Sequence, residues 1–203
     1  MRYNELTFQG RNAVLEAFRS GKTIDKLFIL DGCQDGPIKS IVREAKKTDA
    51  IINYVDKERL DRLAGTGHHQ GVVAIGAAYE YAEVEDILAA AKEKGEDPFI
   101  FILDEIEDPH NLGAIIRTAN LAGAHGVIIP KRRAVGLTAT VAKTSAGAIN
   151  YTPVAKVTNI SQTIEELKKQ GLWFVCADMG GETMYNLNLK GPIGLVIGNE
   201  GNG

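Results

Sequence analysis

Two short polar segments contain the residue types that could carry out chemistry on a bound molecule. In the first, Asn111 is followed six residues later by Arg117, inside the sequence Asn-Leu-Gly-Ala-Ile-Ile-Arg-Thr-Ala. In the second, Glu200 lies in the run Gly-Asn-Glu-Gly-Asn-Gly. A guanidinium can pair with a phosphate or stabilise developing negative charge, and an amide can both donate and accept hydrogen bonds. Glycines on both sides of a carboxylate allow the backbone to wrap closely around a small ligand.

Neither segment has the spacing of a phosphate-binding loop. The two common glycine-rich signatures, GxGxxG and GxxxxGK[ST], are both missing from them. A generic α/β nucleotide-binding enzyme is therefore disfavoured, and the two segments are expected to serve another kind of ligand.

Each polar segment follows an apolar run that predicts a buried parallel strand, at residues 99–103 and 193–197. The carboxyl ends of parallel strands lie at one edge of a sheet, where α/β folds bind their ligands. We therefore expect Asn111, Arg117 and Glu200 to converge at this edge.

The first segment also begins a predicted helix at residues 111–122. Asn111 is a suitable N-cap for it, and Gly123 lies just past its end, where a left-handed residue is favoured. Gly113 either lets a ligand or a partner backbone approach closely or packs the start of the helix.

The whole sequence alternates short strands and helices, which predicts an α/β fold. A small mixed α/β domain spans residues 1–78, a charged linker containing a short helix spans 79–97, and a domain with a largely parallel sheet spans 98–203. The predicted strands are 26–30, 51–55, 71–75, 99–103, 126–129, 153–157, 172–177 and 193–197, and the main predicted helices are 11–19, 38–47, 56–64, 111–122, 138–148 and 160–170.

The two polar segments resemble motifs 1 and 2 of the SpoU/TrmH-like RNA ribose 2′-O-methyltransferases of the SPOUT superfamily. The sequence from Phe8 to Ala17 and the sequence from Thr66 to Ala74 resemble the N-terminal substrate-binding domain of the same family. The resemblance covers almost the whole chain and is nearest to the subgroup that methylates a guanosine ribose of bacterial large-subunit rRNA. It implies a ribosomal-protein-like first domain, a trefoil-knotted second domain, and a homodimer formed through the second domain.

The resemblance also implies a cofactor, S-adenosylmethionine, and roles for individual residues. Asn111, Arg117 and Glu200 correspond to the catalytic positions, and Ile197, Gly198 and Gly201 to the cofactor loop. Ala177, at another strand end rich in small residues, is a further candidate for the cofactor site. The candidate RNA-binding residues are Arg11, Asn12, His69 and Gln70 in the first domain and Lys131, Arg132 and Arg133 in the second.

Arg117 has two possible catalytic roles. The family resemblance makes it the base that removes the proton of the 2′-OH, but a guanidinium holds its own proton tightly. The other role, which we favour, is pairing with the target phosphate and stabilising the developing alkoxide.

One departure from the family pattern concerns the end of the sequence. The resemblance implies a third motif, containing Ser-Leu-Asn, roughly twenty residues after motif 2, whereas the sequence ends at Gly203. From the sequence we expect a member truncated within its second domain, whose 203 residues alone would be inactive. A non-catalytic RNA-binding protein is the alternative from another functional class, and a tRNA methyltransferase of the same family is the alternative within it.

Composition sets broader bounds. The net charge of −3 excludes a general polyanion binder, although the acidity lies mainly in residues 81–97, which carry six acidic and two basic residues. Two cysteines, Cys33 and Cys176, are too few and too far apart for a disulfide framework or a zinc site, so we expect no metal and a reducing, cytoplasmic compartment. No apolar run approaches the length of about eighteen residues that predicts a membrane span.

Overall fold

The computed structural model describes residues 6–48, 50–65 and 67–199. The chain divides into two compact units, one formed by Met1–Glu80 with Gly136–Ala139 and the other by Tyr81–Val135 with Thr140–Gly203. The division falls inside the segment predicted as a linker. The domain boundaries at 1–78 and 98–203 stay a prediction.

The first unit is a four-stranded mixed sheet covered by helices. Its strand order is β1-β4-β2-β3, in which β2 and β3 are parallel and the other neighbours are antiparallel. Its elements are β1 (Leu6–Gln9), α1 (Arg11–Arg19), β2 (Ile24–Leu30), α2 (Gly36–Ala45), β3 (Ile51–Val55), α3 (Lys57–Ala64) and β4 (Val72–Gly76).

Two separate apolar clusters stabilise this unit, one on each face of the sheet. Helices α1 and α2 bury residues such as Val14 and Ile41 against β2 and β4, and α3 buries Leu60 against Phe28 and Val73. Because apolar side chains of β2 and β4 point to both faces, residues 27–30 and 72–75 are continuous hydrophobic runs. This explains why the sequence pattern located them within two residues.

The second unit contains a five-stranded parallel sheet with the strand order β7-β6-β5-β9-β8. The predicted parallel sheet is therefore confirmed. Its elements are α4 (Val84–Lys94), β5 (Phe99–Leu103), α5 (Pro109–Leu121), β6 (Gly126–Pro130), α6 (Ala139–Thr144), β7 (Val154–Val157), α7 (Ile160–Lys169), β8 (Trp173–Ala177) and β9 (Ile193–Ile197).

The strand order creates a switch point between β5 and β9. From β5 the chain proceeds outward through β6 to β7, then crosses to β8 at the opposite edge and returns to the centre with β9. In open α/β sheets a crevice forms where the direction of winding changes, at the carboxyl ends of the strands. The fold thus places a ligand-binding crevice directly after β5 and β9. The predicted trefoil knot stays a prediction.

A buried histidine fixes the entry to β5. His125 Nδ1 accepts a hydrogen bond from the backbone N–H of Phe99 at 3.1 Å, and His125 Nε2 lies 3.0 Å from a carboxylate oxygen of Glu96. Because Nδ1 is a hydrogen-bond acceptor, Nε2 carries the ring hydrogen and donates a hydrogen bond to the Glu96 carboxylate. The side chain therefore joins the start of β6 to the segment before β5. Within the described residues, no helix is long and apolar enough to cross a membrane.

Candidate active site

A cleft of about 420 Å³ lies at the switch point of the parallel sheet. Its walls are the loop between β5 and α5, the first turns of α5 and the chain that leaves β9. The lining residues are Glu105, Ile106, Glu107, Asp108, Asn111, Ala114, Ile115, Ile197, Gly198 and Asn199. Its volume is within the range of small-molecule sites in proteins.

Asn111 lines this cleft and is not the N-cap of α5. The helix begins at Pro109, and the carboxylate of Asp108 caps it by accepting a hydrogen bond from the backbone N–H of His110 at 2.7 Å. The predicted N-cap was therefore wrong by three residues. Proline is favoured at the first helical position, where its missing N–H has no consequence, and this signal favours Asp108. Asn111 lies inside the first turn, and its side chain lines the cleft.

Gly113 packs the helix rather than admitting a ligand. It is buried, and a Cβ added there would lie 1.9 Å from Thr144 Oγ1 and 2.8 Å from Thr144 Cβ. The hydroxyl of Thr144 in turn donates to the backbone oxygen of Thr140 at 2.9 Å. The close approach of α5 and α6 therefore fixes the helix that carries Asn111.

Glu105 joins three loops around the cleft. Its backbone oxygen accepts a hydrogen bond from Asn199 Nδ2 at 3.0 Å, and its carboxylate accepts one from the guanidinium of Arg133 at 2.6 Å. The next residue, Ile106, accepts from the backbone N–H of Val135 at 2.9 Å. The loops that follow β5, β6 and β9 are thus connected at one residue.

Glu105 and Arg133 both have left-handed backbones, with φ of 56° and 54°. Such a conformation costs a non-glycine residue about 1–3 kcal/mol. The ion pair between them is exposed on the arginine side, 75% against 31% for the glutamate, and exposed pairs contribute about 0–1 kcal/mol. The pair alone does not offset the backbone cost, so the surrounding loop contacts must also stabilise this conformation.

Arg117 does not line the cleft within a single chain. Six residues separate it from Asn111, which places the two side chains about 120° apart around the axis of α5 at about 100° per residue. Its side chain is exposed. Among the described residues its guanidinium makes no hydrogen bond or ion pair.

The predicted cofactor residues fall at neighbouring strand ends. Ile197 and Gly198 line the cleft, and Ala177 is the register partner of Ile197 across β8 and β9. Ala177 borders a second cavity, an apolar groove of about 890 Å³ whose lining includes Phe101, Val175 and Leu195. Glu200 and Gly201 lie outside the described residues.

The predicted RNA-binding residues of the first unit have different environments. His69 is buried, with Nε2 2.9 Å from an Asp61 oxygen and Nδ1 accepting from the backbone N–H of Gly71 at 3.0 Å. Both ring nitrogens are used, so its role is structural and the predicted RNA contact is corrected. Gln70 caps α1 by accepting from the backbone N–H of Arg11 at 3.1 Å.

Arg11 itself is partly exposed, and its guanidinium contacts the backbone oxygen of Gln70 and the carboxylate of Asp35. Asn12 is exposed on the first turn of α1. In the second unit, Lys131, Arg132 and Arg133 follow β6, and the last two are exposed. No group of three or more His, Cys, Asp or Glu residues in the described parts of the chain could hold a metal ion.

The residues that sequence reasoning missed are the acidic ones. Glu105, Glu107 and Asp108 all line the cleft, and their charge favours a cationic or hydroxyl-bearing ligand over a phosphate. The sequence Asp-Glu-Ile-Glu-Asp between a strand and a helix was a signal for this property. No signal in the sequence marked the left-handed backbone of Glu105, because glutamate rarely adopts that conformation.

The second unit is an α/β fold with a cleft at the carboxyl edge of its parallel sheet, and solved structures share the fold of this chain. An rRNA methyltransferase of Sinorhizobium meliloti matches with a TM-score of 0.53 and 24% identity, covering 98% of this chain and 73% of that one. The SpoU methyltransferase AviRb of Streptomyces viridochromogenes, determined with AdoMet, matches with a TM-score of 0.54 and 22% identity, covering 98% and 74%.

Sequence comparisons identify the family. Residues 98–203 match the model of the SpoU rRNA methylase family, and residues 9–82 match the model for RNA 2′-O ribose methyltransferase substrate binding. A Bacillus subtilis protein, YacO, named for the TrmH family of tRNA/rRNA methyltransferases, is 52% identical over 96% of this chain and 78% of its own length. The chain belongs to the SpoU/TrmH family of RNA methyltransferases. The resemblance and the enzyme class predicted from the sequence are confirmed.

Proposed function

We propose that the protein transfers a methyl group from S-adenosylmethionine to the ribose 2′-OH of an RNA nucleotide, a guanosine of large-subunit rRNA. The observation that carries the proposal is the cleft in which Asn111 of motif 1 meets Ile197 and Gly198 of motif 2. Family membership supports the reaction class, and the substrate-binding model over residues 9–82 supports an RNA ribose as acceptor.

The residues at the strand ends fit S-adenosylmethionine. Gly198, which has no side chain, lines the cleft at the end of β9, and the cleft carries the carboxylates of Glu107 and Asp108, which suit a cation. When bound, this cofactor supplies a methyl group on a positively charged sulfur. We assign its binding to Ile197, Gly198 and Gly201, with Ala177 at the neighbouring strand end, and this assignment rests on the family motifs. AviRb, which shares the fold, was determined with AdoMet.

Asn111 is the residue that this chain offers to the reacting hydroxyl. Its amide can accept a hydrogen bond from the 2′-OH or donate one to the oxygen as charge develops on it. Helix α5 cannot rotate easily, because Gly113 is packed against Thr144. A fixed amide beside the acceptor oxygen contributes through alignment, a major source of rate enhancement.

The RNA backbone must be bound by cations at the margin of this acidic cleft. Arg132 and Arg133 are exposed, and Arg133 pairs with the cleft residue Glu105. We assign phosphate binding in the second unit to Lys131, Arg132 and Arg133. In the first unit we assign RNA contacts to Arg11, Asn12 and Gln70 and omit His69, whose ring is buried.

Arg117 acts, in this proposal, in the active site of a second copy of the chain. It points away from the cleft of its own chain. Two large apolar side chains are exposed on the same unit. Leu121, four residues after Arg117 on α5, and Tyr151 are each 81% exposed, and a hydrogen bond from Thr152 Oγ1 to Asn120 Oδ1 brings their segments together. Exposed apolar side chains of this size favour association. We therefore propose a homodimer through the second unit in which Arg117 pairs with the phosphate beside the partner's reacting ribose.

Subunit mixing tests the shared site. Asn111→Ala and Arg117→Ala homodimers should each be inactive. An equimolar mixture should recover about a quarter of the parental activity, because half of the dimers are mixed and each restores one site of two. No recovery after confirmed subunit exchange would place Arg117 in the site of its own chain.

The RNA substrate is tested by supplying methyl-labelled S-adenosylmethionine with deproteinised large-subunit rRNA or with tRNA. We expect label in the rRNA at a single guanosine. Label in tRNA alone would keep the reaction but replace the substrate with that of the alternative member of the family. Absence of label from both RNAs, with bound cofactor demonstrated by calorimetry, would refute the proposed reaction.

A further inference from the structure

Glu105 lies at the point where the hydrogen bonding between β5 and β9 ends. It directly follows Asp104, whose backbone N–H donates to the oxygen of Ile197 at 2.9 Å as the last link between β5 and β9. Beyond this link the two strands diverge into separate loops. The hydrogen bond from Asn199 Nδ2 to the oxygen of Glu105, between residues 94 apart in sequence, connects these two loops.

The direction of the Glu105 carbonyl depends on its left-handed backbone. With φ at 56° the oxygen points to the loop after β9, where it meets the Asn199 amide. A turn of the chain to ordinary negative φ would reorient the peptide and remove this acceptor. Asn199 immediately precedes Glu200, so the orientation of Glu105 bears on the placement of motif 2.

The side chain of Glu105 opposes such a turn. Its carboxylate is bound to Arg133, whose own φ is 54°, so each residue restrains the unusual backbone of the other. Unusual backbone conformations persist where surrounding contacts over-determine them, and they concentrate at functional sites. Here two of them are joined by an ion pair, and one of the two, Glu105, lines the cleft.

We propose that Glu105 is a positioning residue for methyl transfer: its left-handed backbone, restrained by Arg133, places Asn199, the last described residue of motif 2, against the cleft. This inference rests on the proposed function. Glu105 acts through Asn199 and not through contact with the reacting atoms.

Three variants separate the role of the Glu105 backbone from that of its side chain. Glu105→Ala removes the restraint by Arg133 while keeping a Cβ that disfavours positive φ. Glu105→Asn also lacks the charge, but asparagine tolerates the left-handed region well. Glu105→Gln keeps the length and the hydrogen-bonding capacity and removes only the charge.

We expect kcat to fall about fivefold in Glu105→Ala, the factor that corresponds to the loss of an exposed ion pair, and to recover to within about twofold of the parent in Glu105→Asn. Circular dichroism verifies that each variant is folded. Parental kcat in Glu105→Ala would overturn the proposal. The proposal would also be overturned if Glu105→Asn and Glu105→Ala were equally impaired while Glu105→Gln kept full activity. That pattern would mean that the side chain is required and not the backbone conformation.

A second measurement does not depend on catalysis. The side-chain amide protons of Asn199, assigned by ¹⁵N NMR with an Asn199→Asp variant, should exchange slowly in the parent and in Glu105→Asn and faster in Glu105→Ala. Unchanged exchange in Glu105→Ala would contradict the positioning role even if the parent transferred no methyl group. Failure of the parent to methylate RNA would instead refute the proposed function and leave this contact intact.

Discussion

The packing of α5 on α6 predicts a large effect for the smallest possible substitution, Gly113→Ala. The added methyl carbon would lie 1.9 Å from Thr144 Oγ1, 2.8 Å from its Cβ and 3.0 Å from the backbone nitrogen of Ser145. Rotation of Thr144 would relieve only the first contact, because Cβ and the Ser145 nitrogen do not move with the hydroxyl. The helix itself must shift.

The magnitude follows from two opposing terms. In the interior of an exposed helix, alanine is more favourable than glycine by about 1 kcal/mol. Overpacking a buried contact costs about 1–3 kcal/mol and sometimes more, and turning the Thr144 hydroxyl away from the Thr140 oxygen costs about 1 kcal/mol further. We expect a net loss of about 1–3 kcal/mol, which lowers the thermal midpoint by about 2–4 °C per kcal/mol in a chain of this size.

Urea and thermal unfolding, followed by circular dichroism, measure this loss. Gly180→Ala is the matched control, because a Cβ there meets nothing within 4 Å and a glycine-to-alanine change at a compatible loop site stabilises by about 0.4–1 kcal/mol. Removing the hydroxyl as well, in Gly113→Ala with Thr144→Ala, should restore part of the stability. A Gly113→Ala protein as stable as the parent would show that α5 and α6 are not in the close contact described.

Three further outcomes are expected. Arg117→Ala should leave the unfolding midpoint unchanged, since the side chain is exposed. The same variant should lower methyl transfer by at least about tenfold, and an equal loss in the exposed control Arg43→Ala would show that Arg117 has no specific role. Arg117→Lys should rescue little, because an ammonium cannot make the two-pronged contact with phosphate; full rescue, measured as kcat, would argue for charge alone. His125→Ala should destabilise by about 1–3 kcal/mol in urea unfolding, because the N–H of Phe99 loses its acceptor; a smaller loss than in the exposed control His110→Ala would contradict the structural role of His125.

The strands of the parallel sheet were predictable because each is a short apolar run between polar segments. The predicted bounds 99–103 and 193–197 coincide with β5 and β9. Strand β1, Leu6–Gln9, was not predicted, because only its pairing with β4 and not an apolar run defines it. Hydrophobic pattern locates buried strands and gives no signal for a partly exposed strand at the edge of a sheet.

The candidate site was predictable in part. The meeting of Asn111 with Ile197 and Gly198 follows from their places after parallel strands, a rule that depends on topology alone. The separation of Arg117 from Asn111 was also predictable, because residues six apart on a helix point in directions about 120° apart. We nevertheless expected the two side chains to converge. The contacts of Glu105 with Asn199 and Arg133 depend on left-handed backbone angles and on loops distant in sequence, which no local pattern encodes.

The central claim, methyl transfer to a ribose 2′-OH, is tested most directly by the alkali stability of the labelled RNA. Alkaline cleavage of RNA requires a free 2′-OH, so a nucleotide methylated at this oxygen stays joined to its 3′ neighbour. After incubation with methyl-labelled S-adenosylmethionine and complete alkaline hydrolysis, the label should be recovered in dinucleotides, and Asn111→Ala should abolish it. Label recovered in mononucleotides would mean that a base is methylated and would contradict the account.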